Sequence, residues 1–106
     1  MASDEEVLDD EELDARYREI IDAFIDQANE LAGHNSIENV GMAMLYAASR
    51  FNAFVVSEHA SSEEAYSADV PKAREFFRSQ YQQMLDENLA DYQQVFQKYG
   101  HLRKPQ

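Results

Sequence analysis

Few side chains in this sequence could do chemistry: three histidines, an arginine inside an apolar stretch, and two amides that a helical wheel places among hydrophobic residues. A zinc or di-iron site on helices needs imidazoles and carboxylates three or four residues apart, so that they share a face. His34, His59 and His101 are far apart in the chain, and no Glu-x-x-His pattern recurs on two helices. Glu30 and His34 stand four residues apart as a carboxylate and imidazole pair, and that spacing reads as a helix-end contact. The chain has no cysteine, which removes thiolate metal sites, disulfides and cysteine nucleophiles, and its three glycines form no phosphate-binding loop. The residues therefore supply no catalytic group, no metal ligand and no cofactor site, and they lean against an enzyme.

The amides are more informative. Asn88 falls between Met84 and Tyr92 on the wheel, and Asn52 lies beside Leu45 and Val56. An amide buried without a partner costs about 1–3 kcal/mol, so each needs a hydrogen bond. The simpler expectation is that they bond to each other, to Arg50 or to tyrosine hydroxyls and so set helix register. The functional alternative is a polar pocket for a small molecule or substrate, lined by Tyr46, Arg50, Asn52, Tyr81, Asn88 and Tyr92. Arg50 could clamp a carboxylate or phosphate there, although such an arginine more often pairs with a nearby acid and lays its stem on apolar surface. Tyr66 falls in a connecting segment and is the tyrosine expected to be free.

The elements that must position these groups are helices. From Leu13, the apolar residues Tyr17, Ile20, Ile21, Phe24, Ile25, Ala28 and Leu31 advance in steps of three and four, with Glu19, Asp22, Asp26 and Glu30 opposite. Gly33 is expected to stop this helix in a left-handed conformation. A second helix starts at Asn35, which with Glu38 resembles a capping box, or at Ser36, and runs to about Val56 or Glu58. Val40, Met44, Ala47, Ala48, Phe51, Phe54 and Val55 form its broad apolar face. Met42, Leu45 and Val56 form a second stripe beside Ser49, a candidate interface. A helix apolar nearly all round is a central one, covered by neighbours on both sides or by a partner subunit. Residues 59–69 read as a loop. The third helix is expected to start at Asp69, with Pro71 in its first turn, and to reach Tyr99 before Gly100.

These features predict an all-α protein: a three-helix bundle with a long C-terminal helix and an acidic flexible N-terminal tail. The expected organisation is a tail over 1–10, one helical domain over 11–100 around one modest core, and a flexible end over 101–106. The formal charge of −12 opposes binding to nucleic acid or anionic lipid. Residues 1–14 alone carry 8 acids and no base, which leaves an acidic nucleic-acid mimic as a third reading. No eighteen consecutive residues are apolar and no secretory leader is visible, so the expectation is a cytoplasmic protein without a membrane span.

The segments MLYAASRFNAF (residues 44–54) and YQQMLDENLADY (81–92) carry a resemblance. Over Asp22–Tyr99 the chain resembles a family of small, acidic, uncharacterised proteobacterial proteins. The resemblance implies a bacterial, cytoplasmic, helical protein and brings no activity, cofactor or catalytic residue with it. The function that fits best is a non-enzymatic interaction module, either a homo-oligomer or a binder of another protein, that associates through the second helix.

Overall fold

The computed structural model describes residues 9–99. Three helices occupy almost all of them: α1 (Asp10–Leu31), α2 (Ile37–His59) and α3 (Glu63–Tyr99). No strand occurs among the described residues. The all-α class and the long third helix are as expected, since α3 has 37 residues against 23 in α2. Residues 1–8 and 100–106, which include most of the expected tail, the Gly100 stop and the expected C-terminal end, lie outside the described residues.

α1 begins at a capping box. The Asp9 carboxylate accepts from the Glu12 N–H at 2.8 Å, and the Glu12 carboxylate accepts from the Asp9 N–H at 3.1 Å. Two of the free donors at the helix start are thereby satisfied, and Asp10, Glu11 and Glu12 add favourable charge there. At the other end Ala32 stays in the right-handed region, and the Gly33 N–H donates to the Glu30 carbonyl at 3.1 Å. Gly33 does not take the left-handed conformation expected of it. A tightened last turn satisfies the carbonyls instead, and the Asn35 amide donates to the Leu31 carbonyl at 2.9 Å.

Of the two cap candidates for α2, Ser36 serves. Its hydroxyl accepts from the Asn39 N–H at 3.1 Å, while the Asn35 side chain faces back to α1.

The largest departure is the start of α3. Residues 59–69 are not a loop: only residues 60–62 separate α2 from α3, and the helix begins six residues before Asp69. Ser62 caps it, accepting the Ala65 N–H on its hydroxyl at 3.1 Å and the Tyr66 N–H on its carbonyl at 2.9 Å. Glu63 and Glu64 complement the helix dipole in the first turn. Pro71 consequently sits inside the helix, where it offers no N–H to the Ser67 carbonyl. Replacing Ser62 with alanine should cost about 1 kcal/mol and lower the thermal midpoint by about 4–8 °C. A melting curve within 1 °C of the parent would show that this cap does not hold the start of α3.

The chain divides into two compact units between Gly41 and Met42, within α2. Among the described residues none is buried. Every large hydrophobic side chain of α1 except the half-buried Ile25 is exposed, as are Met44, Phe51 and Phe54 on the broad face of α2.

Candidate functional site

Within the second unit, a groove of about 480 Å³ lies between α2 and α3. α2 contributes Leu45, Ala48, Ser49, Asn52, Ala53 and Val56, which advance in the three-and-four steps of one helical face. α3 contributes Tyr66, Val70, Ala73, Phe77 and Tyr81 at the same kind of spacing, joined by Arg74 and Arg78. The short connection at 60–62 makes the two helices antiparallel neighbours. Alanines at 48, 53 and 73 keep the floor shallow and let the backbones approach. Val56, Tyr66, Val70, Ala73 and Phe77 are half-buried, whereas Arg74 and Arg78 are exposed at the edge.

The stripe of α2 that meets α3 is thus the one containing Leu45 and Val56, two of the three candidate interface residues. The third, Met42, is 65% exposed and does not line the groove. On the broader stripe Ala48 lines the groove, while Phe51 and Phe54 are exposed and stack on each other along the helix, with ring centres 5.5 Å apart.

Of the six pocket candidates, Asn52 and Tyr81 line the groove, while Tyr46, Arg50, Asn88 and Tyr92 do not. Asn88 is not buried. It donates to the Met84 carbonyl one turn back at 2.8 Å, a bond within its own helix that needs neither Asn52, Arg50 nor a tyrosine. Asn52 is half-buried with no hydrogen-bond partner among the described residues. Tyr46 is 69% exposed. Arg50 is exposed and forms no ion pair among the described residues. Tyr66, expected to be free, is half-buried while Tyr17, Tyr46, Tyr81 and Tyr92 are exposed, because the segment that carries it is helix rather than loop.

Two residues that the sequence reading passed over complete the groove's chemistry. Arg78 reaches Glu75 at 2.6 Å in an exposed i,i+3 pair, a kind of contact worth about 0–1 kcal/mol. Arg74 has no ion-pair partner among the described residues. Their i,i+4 spacing flanking Phe77 was the available signal. Among the described residues no three acids or histidines gather in a way that could hold a metal ion, and Glu30 and His34 make no ion pair.

By length and average hydropathy α2 is the one helix among the described residues that could cross a membrane. The helix contains no uninterrupted apolar run of that length, which is why the sequence suggests no span. Arg50 and Asn52 interrupt that run near its middle, where a charge costs about 2.5–3.5 kcal/mol on insertion scales.

The fold and the groove define a small all-helical domain with an apolar seam and a cationic edge. Residues 17–93 match the family described as protein of unknown function DUF3144, and the chain belongs to that family. No curated protein and no solved structure matches it. The matched region takes in both walls of the groove and all of α1 after its first two turns.

Proposed function

We propose that the protein is a non-enzymatic, self-associating helical module that acts in the cytoplasm. The observation carrying this reading is that twenty large hydrophobic side chains are exposed and none among the described residues is buried. A helical protein left in that state has its main stabilising contribution unrealised. Thirteen of the twenty lie on α2 and α3 within the second unit. From their fractional exposures they present roughly 1,000–1,300 Å² of side-chain surface, taking roughly 150–200 Å² for one fully exposed. A standard interface covers about 800 Å² on each partner, so the exposed surface is large enough to form one with a second chain.

Three observations weigh against the other readings. The groove is open and mostly apolar, with no convergent set of acid, base and nucleophile to support a reaction. The charge of −12 disfavours nucleic acid and anionic membranes as partners. The acidic-mimic reading rests on charge alone, and the groove is edged by arginines rather than acids.

Light scattering coupled to size exclusion, over a concentration series, tests the proposal. A mass of twice 12.2 kDa or a higher multiple at micromolar concentrations is the expected result. A single-chain mass up to millimolar concentration, with native helical circular dichroism, would refute it.

A further inference from the structure

We infer that the groove between α2 and α3 receives helix α1 of a second copy, so that two chains pair by exchanging their acidic first helices. This rests on the self-association proposed above and names the surfaces that carry it.

The first argument is fit. The groove spans Leu45 to Val56 on one wall and Tyr66 to Tyr81 on the other, or about 16 and 22 Å of helix at 1.5 Å per residue. A rod-shaped, apolar, open channel of that length accepts four turns of a helix better than a small molecule, which a binding site normally encloses. α1 has 22 residues and is the most amphipathic of the three helices. Leu13, Tyr17, Ile20, Phe24 and Leu31 line its apolar face, all of them exposed. An isolated amphipathic helix of this length is marginal in water and gains its stability from covering that face.

The second argument is charge. The only charged residues lining the groove are Arg74 and Arg78. α1 carries eight acids against two arginines. An acidic helix laid in the groove meets complementary charge at its edge, and Arg74 gains the partner it lacks. The alternative symmetric arrangement, groove against groove, would set the arginines of one copy near those of the other, and like charges brought together oppose association. Exchange of α1 is reciprocal: each copy supplies one helix and one groove, and the pair closes without leaving either unfilled.

The absence of cysteine in the chain makes the test direct. Ala28→Cys marks the apolar face of α1 and Ala53→Cys marks the groove, both conservative changes on helices. An equal mixture of the two single variants, treated with a short bismaleimide, should give a covalent dimer in larger yield than either variant alone. A chain with both changes should crosslink between copies rather than within one. Reversing the groove charge with Arg74→Glu and Arg78→Glu together should weaken association at least tenfold and reduce its sensitivity to salt. The inference is overturned if the double-cysteine chain crosslinks only within itself, which places α1 in its own groove. It is also overturned if the mixture gives no covalent dimer while light scattering still finds one, in which case association uses another surface and only the helix exchange fails. A chain monomeric at all concentrations removes both.

Discussion

Replacing Leu45 with glutamate is expected to raise the dissociation constant for self-association by about 100-fold. Leu45 lines the groove and is 41% exposed in the single chain, so glutamate there can be solvated until a second chain arrives. Covering it then forfeits the leucine's burial and strands a charge, a penalty of about 3 kcal/mol or more, equivalent to about 100-fold. The discriminating readout is recovery. If the stripe is intermolecular, mass and helical circular dichroism return when the variant is concentrated about 100-fold, by mass action. If Leu45 belongs to the core of a monomer, the variant loses helix at every concentration and no amount of protein restores it. The latter result would exclude this stripe as the association surface.

The thermal midpoint of the unaltered chain should depend on concentration. With no described residue buried, folding and association should be a single transition. For two chains of 106 residues, an unfolding enthalpy of about 0.7 kcal/mol per residue gives roughly 150 kcal/mol per dimer, and the midpoint then falls about 3–4 °C for each tenfold dilution. Melting curves at three concentrations across a hundredfold range measure this. A midpoint constant within 1 °C would mean that the chain folds alone, and the coupling proposed here would be wrong.

Much of the local structure was legible beforehand. The α1 and α2 spans followed from the spacing of residues such as Tyr17, Phe24, Leu45 and Val56, because helical periodicity is written directly into side-chain order. Ser36 was one of the two caps considered. The start of α3 differs from expectation because Pro71 is a common first-turn residue, whereas the helix is in fact capped by Ser62 followed by two acids. Tyr66, within the expected loop, continues the stripe Val70, Ala73, Phe77 back at helical spacing, which is the better guide. At α1 the Asp9 and Glu12 capping box was equally visible as an acid three residues before a glutamate. Asn88 departs from expectation for a different reason. A wheel reports an angle on one helix and says nothing about depth, so Asn88 looked buried although it is exposed and bonded to its own backbone.

By itself the sequence determined that the chain is helical, that α1 is acidic on one side and apolar on the other, and that α2 has more apolar surface than one neighbour covers. It also closed off thiol chemistry, since no cysteine is present. These are properties of composition and of single helices, settled by residues a few positions apart. Only the tertiary structure decided that the Leu45 and Val56 stripe of α2, rather than the broader Phe51 and Phe54 face, meets α3, and that Arg74 and Arg78 stand at the seam. Pairing of helices depends on how the relief of two distant segments fits at close range, where the alanines at 48, 53 and 73 admit a backbone that phenylalanines would hold away.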